Sequence, residues 1–312
     1  MISLVVKAQI APLSWQEFTT QSPPFSIALD GYVKEGPRFN PTGPWANFNH
    51  HEEVSRLETR ATCAQVLIAV RSGLYCTFCT ELSSPKAHLY VNDCDEDVCL
   101  SVFILKNSHL AINTMNPPLN RLVSMEDMLD TTGGAYPFPK DLGTLQELMW
   151  VFAPYHTFRT NGGLDKRVDH MFEGIIEDVG NRIMGYINGN PHKIELDTRF
   201  KKIGGGSNWT MVREIGPNAR IGVYGDKIQA FVSVRERGEG RFTYSIGRSS
   251  QFVPFPIPKI LKALNEAEKA KKGDLLEETW GGSDIISGSP RINGSILDPK
   301  EVTRIIEETL KR

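Results

Sequence analysis

Apolar positions in the first half of the chain fall in short runs that close on acids or turn residues. Phe25-Ser-Ile-Ala-Leu-Asp30 is apolar almost to its last residue and is followed by Gly31, the pattern of a buried strand that ends in a carboxylate. His88 to Asn92 reads as a second buried strand and Val98 to Leu105 as a mostly apolar helix, so the residues between them form a βα turn. Gly36, Pro37, Pro41, Gly43 and Pro44 crowd residues 34–47, where a loop is expected. From Glu53 to Arg71 there is neither Gly nor Pro. Val54, Leu57, Ala61, Ala64 and Ile68 keep helical spacing there, which predicts one helix ending before Gly73. Residues 143–158 and 164–187 read as further helices.

The texture changes after Gly189, and Gly204-Gly-Gly-Ser207 reads as a linker or irregular loop. Alternating runs follow at Trp209–Ile215, Arg220–Tyr224, Ile228–Arg235 and Phe242–Ile246, with Gly225-Asp226 and Gly238-Glu-Gly240 as hairpin turns. A helix is expected from about Ile257 to Lys271, and another after Asp298, with Pro299 at its first position and Glu301 closing a capping box. The expected class is therefore α/β. Residues 1–200 form a mostly parallel sheet with flanking helices, and residues 201–312 form a C-terminal α+β domain with an antiparallel sheet.

Composition narrows the partners. In 312 residues, 40% are hydrophobic and the formal net charge is −2, which suits a sizeable core and opposes a chain-wide grip on long duplex nucleic acid. No run of about eighteen apolar residues occurs, and the start lacks a signal-peptide pattern, so a cytoplasmic protein without a membrane partner is expected. Five cysteines is an odd number and argues against a disulfide framework. Cys76-Thr-Phe-Cys79 has a zinc-like spacing, but no second pair accompanies it.

The candidate chemistry lies in acids and histidines. The βα turn holds Asp93, Asp95, Glu96 and Asp97 at the carboxyl end of a strand, where open α/β sheets place ligands. One or two of these acids could simply cap the following helix. Asp93 and Asp95, two apart, point to the same side of extended backbone, which suits a cation better than a cap. Asp30 ends its strand, His50 and His51 precede a helix, and Asp130 stands before Thr131-Thr-Gly-Gly134 as an acid at a tight turn. The bland alternatives are an incidental histidine pair and an ordinary Asx-turn. Carboxylates with imidazole suit Mn²⁺ or Mg²⁺. The set is large enough for two ions about 3.5–4 Å apart sharing a carboxylate, an arrangement that serves phosphoester hydrolysis.

Asp30-Gly-Tyr, Phe39-Asn-Pro and Phe48-Asn-His-His51 together resemble the histidine-pair segment of the DHH phosphoesterase superfamily, particularly its Myg-type exonuclease branch. Asn92-Asp-Cys-Asp-Glu-Asp-Val-Cys-Leu-Ser101 resembles its paired-aspartate motif, and Leu129-Asp-Thr-Thr-Gly133 its late Asp-Thr-Gly motif. Trp280-Gly-Gly-Ser283 through Gly294 resembles its glycine-rich substrate loop. The motif order is rearranged, because the histidine pair precedes the paired aspartates, and Asn49 stands where the motif has Asp. The resemblance implies a two-domain metal-dependent phosphoesterase acting on nucleotides or short oligonucleotides, with room for a homodimer. By it, Asp30, His50, Asp93, Asp95 and Asp130 are ligands to two Mn²⁺ or Mg²⁺ ions. His51 and Asp95 are catalytic, and Gly281, Gly282 and Arg291 receive substrate. The alternative is a catalytically decayed nucleotide-binding regulatory protein on the same scaffold, with Asn49 marking the loss.

Overall fold

The strand Ser26–Leu29 is buried along its whole length, and the N-terminal sheet is built around it. The computed structural model describes residues 1–112, 116–272, 279–291 and 293–311. They fall into two units. One comprises Met1–Thr131 with Leu142–Ile194, and the other Thr132–Asp141 with the chain from Glu195 onward.

The N-terminal unit begins with β1 (Ile2–Val6), α1 (Trp15–Gln21) and β2 (Ser26–Leu29), followed by β3 (Arg38–Asn40) and β4 (Trp45–Phe48). Then come α2 (Thr62–Arg71), α3 (Leu74–Thr77), β5 (Ala87–Val91), α4 (Glu96–Lys106), α5 (Ser108–Ile112) and α6 (Pro117–Thr131). The unit closes with α7 (Gly143–Val151), α8 (Ala153–Thr160) and α9 (Asp169–Ile187). Strand order is β1-β5-β2-β4-β3, parallel except for the edge pair β3–β4. Helix α4 is buried from Asp97 to Leu105, so it has no polar face and serves as the central helix.

The C-terminal unit contains β6 (Phe200–Gly205), β7 (Thr210–Glu214), α10 (Ala219–Gly225), β8 (Ala230–Gly238) and β9 (Arg241–Arg248). It continues with α11 (Ile257–Lys272), β10 (Gly281–Gly282), β11 (Ile286–Gly288) and α12 (Pro299–Leu310). The sheet order is β10-β11-β9-β8-β7-β6. Its core gathers Val232, Tyr244 and Ile246 of the sheet with Ile260 and Leu264 of α11 and Val302 and Ile306 of α12.

The α/β class stands: a mostly parallel N-terminal sheet and an antiparallel-rich C-terminal one. Several expected elements differ. Residues 34–47 hold two short strands, β3 and β4, within the predicted loop. The helix expected from Glu53 begins only at Thr62. Glu53 lies at φ 57, outside helical backbone, and the first amides of α2 are bound by Asp97 instead of continuing a helix. Arg220–Tyr224 is not a strand but part of α10. That helix links β7 to β8, and the two strands consequently pair in parallel, which a tight hairpin at Gly225-Asp226 could not allow. The helix expected over 143–158 is divided at Phe152, just before Pro154. Asp130 sits in the last turn of α6, not at a tight turn. Pro117 and Pro118 open that helix, where a missing N–H costs nothing.

Candidate metal centre

Three adjacent parallel strands deliver the centre. Asp30 follows β2, His50 and His51 follow β4, and the acids of the βα turn follow β5. Parallel neighbours end on the same side of a sheet, so these residues meet there. The backbone of Asp30 is turned to φ 48 and Gly31 to φ 80, a left-handed corner that Asp and Gly tolerate best. Asp30 N–H still donates to Phe48 O at 2.9 Å, which ties the two strand ends together.

His50 is 0% exposed, and neither ring nitrogen has a hydrogen-bond partner. Its Nε2 lies 2.6 Å from Asp130 Oδ2, 3.5 Å from Asp30 Oδ1 and 3.6 Å from Asp97 Oδ2. Asp130 Oδ2 is likewise buried without a hydrogen bond. Ligands bound at ~2.0–2.2 Å stand about 3.0–3.4 Å from one another in octahedral or tetrahedral geometry, so this spacing fits a cation after small adjustment. Among the described residues, two groups bring one ligand atom from each member within 4.8 Å of the others: Asp30 with His50 and His51, and His50 with Asp97 and Asp130.

Supporting bonds hold these side chains. Asp30 Oδ1 accepts from Thr62 Oγ1 at 3.0 Å and faces His51 Nε2 at 2.9 Å. Asp97 accepts the first two amides of α2, from Thr62 N at 2.7 Å and Cys63 N at 2.6 Å, and so caps a helix that has no cap of its own. A carboxylate oxygen can take such a bond and still bind a cation through its second lone pair. Arg56, 3% exposed, donates to Asp130 Oδ1 and Asp130 O, both at 2.9 Å from Nη2, and lies 3.1 Å from His51 Nδ1.

The charges are strongly coupled. Burial opposes the imidazolium of His50, but Asp130 outweighs it and holds His50 up at about 10. Burial raises Asp97 to about 7, with Asp30 and Asp130 adding to the rise, despite the helix amides on its oxygens. Burial also works against Asp130, yet Arg56 and His50 bring it down to about 2. Asp30 is lowered by His51 and His50 against its own burial. Asp95 is pushed well up by burial and by Asp30, Asp93 and Asp130. Carboxylates pushed up by burial and by like charge, as Asp97 and Asp95 are, are ones a cation would discharge.

The expected residues separate into groups. Asp30, His50, His51 and Asp130 converge. Asp95 is the N-cap of α4, its Oδ1 accepting from Val98 N at 3.0 Å, and it stands close enough to Asp30 and Asp130 to feel their charge. Asp93 Oδ1 accepts from Cys94 N at 2.8 Å. Gly281 and Gly282 form the edge strand β10 of the C-terminal unit, paired with Gly288 and Ser287. Gly282 lies at φ +131, where a Cβ would stand 2.7 Å from Ser287 Cα. Arg291 is exposed in the same unit, and its carbonyl accepts from Arg237 Nη2 at 2.9 Å. Asn49 points away from the centre. Its Nδ2 donates to Val33 O, Glu35 O and Glu52 Oε2, and its Oδ1 accepts from His51 N.

Two participants lie outside the residues read as ligands. Asp97 stands in the sequence as one of four acids of the βα turn, and Arg56 falls in the stretch whose spacing predicts a helix, although α2 begins at Thr62. No known family model matches the chain, and no curated protein does.

Proposed function

We propose that the protein is a metal-dependent phosphoesterase that hydrolyses phosphoester bonds of nucleotides or short oligonucleotides, with Mn²⁺ or Mg²⁺ at the centre around His50. One observation carries this reading. A fully buried histidine whose Nε2 meets only carboxylates faces three of them at 2.6–3.6 Å. The oxygen-rich donor set with one imidazole favours a hard divalent ion. The likeness of the Asp30, His50-His51 and Asp130 segments to DHH phosphoesterases supports the reaction class.

His50, Asp30, Asp97 and Asp130 would hold the ion. When bound, it supplies charge against phosphate oxygens and makes water nucleophilic near neutral pH. Thr62 and His51 fix the orientation of Asp30, and the amides of α2 fix Asp97. His51 is the most accessible side chain of the set at 30% exposure, so an arriving phosphate meets it first. Gly281, Gly282 and Arg291 are proposed to take substrate phosphate or base.

The second reading, a nucleotide-binding regulatory protein, draws on Asn49, whose amide is spent on bracing the loop. Elemental analysis of purified protein, then a Mn²⁺-supplemented screen with an aryl phosphodiester and short RNA, decides between them. Bound metal with turnover abolished by His50→Ala is expected. Nucleotide binding without turnover at saturating Mn²⁺ would favour the regulatory reading.

A further inference from the structure

We infer that the centre takes one divalent cation rather than two, and that the Arg56 guanidinium is the tethered second cation. The inference rests on the metal-centre reading above and concerns what faces it across Asp130.

The acceptors around Arg56 are those a metal would choose. Nη2 lies 2.9 Å from a carboxylate oxygen, Asp130 Oδ1, and 2.9 Å from a carbonyl, Asp130 O. Nε donates to the same carbonyl at 3.2 Å, and Nη1 stands 3.1 Å from an imidazole nitrogen, His51 Nδ1. Carboxylate, carbonyl and imidazole make a cation site, and it is filled by a side chain that is 3% exposed and permanently charged. Asp130 therefore bridges two positive positions, with Oδ2 toward His50 Nε2 at 2.6 Å and Oδ1 toward the guanidinium.

The state of His51 follows. A guanidinium has donors only, so Nδ1 must be the acceptor and Nε2 must carry the proton, which it donates to Asp30 Oδ1 at 2.9 Å. In that tautomer both ring nitrogens are engaged, and His51 orients Asp30 instead of binding a metal. The centre thus has one fixed cation already in place.

Mn²⁺ titration of the metal-stripped protein tests this, with the stoichiometry read by calorimetry and the spin coupling by electron paramagnetic resonance. The expected result is one Mn²⁺ per chain with an uncoupled signal. Arg56→Gln is expected to take up a second, weaker ion and to develop an exchange-coupled signal, whereas Arg56→Lys keeps one. Two ions in the unaltered protein overturn the inference while leaving the metal centre standing. One ion in both the unaltered protein and folded Arg56→Gln overturns the role of the guanidinium. No ion at all removes the metal centre itself. The unaltered protein alone decides the count should Arg56→Gln fail to fold.

Discussion

In the C-terminal unit Glu268 is 1% exposed, and its Oε1 accepts from Trp280 Nε1 and Ile296 N, both at 3.3 Å, and from Ser295 Oγ. In the N-terminal unit Asp30 and Asp97 are similarly buried, and with the half-buried Asp130 they crowd one another around the His50 imidazole. The buried arginines differ less: each meets backbone carbonyl oxygen and one carboxylate, and Arg56 adds an imidazole. Arg248 donates to the carbonyls of Asp284, Gln251 and Val253 and to the Asp284 carboxylate. Arg56 divides its donors between one aspartate and a histidine. A buried charge held by neutral donors is a brace, because those donors offset much of its lost hydration. A buried charge surrounded by like charges is complete only with something added. Burial alone therefore does not mark a functional group, and the character of the neighbours does.

The contrast can be broken most severely at the centre. His50→Ala or Asp30→Ala should weaken Mn²⁺ binding more than about a hundredfold by calorimetry, since even groups that merely support a ligand are worth ~10–100-fold. Glu268→Gln should leave that affinity unchanged. An equal loss in both would erase the distinction between brace and centre.

Asn49→Asp restores the acid of the resembled motif and should still harm the protein. A carboxylate would replace an amide that now donates to three oxygens in a fully buried position. A loss of about 2–4 kcal/mol in urea unfolding is expected, with no gain in bound metal.

On the proposed metal reading, protons compete with the ion. His50, held at about 10, must shed its proton to bind, so affinity should rise about tenfold per pH unit from 7 to 10 and level off above. Below about 7 the slope should steepen as Asp97 also protonates. For the metal-free fold the sign reverses. A histidine raised above its unfolded value of ~6.5 contributes stability that is present below that value and lost as pH climbs through about 10. Titrations of affinity and of the urea midpoint across this range check both slopes.

The smallest effect belongs to the rim. Arg60, 62% exposed, pairs with Asp127 at 2.7 Å, and Arg60→Ala should cost under about 0.5 kcal/mol.

Much of this centre was legible in the sequence because it sits where chain patterns are strongest. Asp30 closes an apolar run, and the acids before Val98 stand between a strand and a helix, so their place at strand ends follows from periodicity. Asp97 was harder. Its spacing from Asp95 equals that between Asp93 and Asp95, but the strand ends at Val91 and α4 begins at Glu96, so alternation along extended backbone did not govern the turn. Arg56 was not legible at all. The stretch before Thr62 keeps apolar spacing compatible with a helix, and what overrides it lies far away in sequence, in Asp97 and Asp130. The short run in α10 alternates as a strand would, and what holds Gly222 in place is likewise distant in sequence: a Cβ there would meet the Thr198 carbonyl at 2.2 Å.

The grip of Asp97 on the start of α2 makes that helix a gauge of the centre's electrical state. Exchange of the Thr62 and Cys63 amide protons with deuterium depends on how firmly one carboxylate holds them. A cation that draws on the same oxygens redistributes that hold. Labelling those two amides therefore reports occupancy from the backbone itself, with no substrate and no spectroscopic signal from the ion.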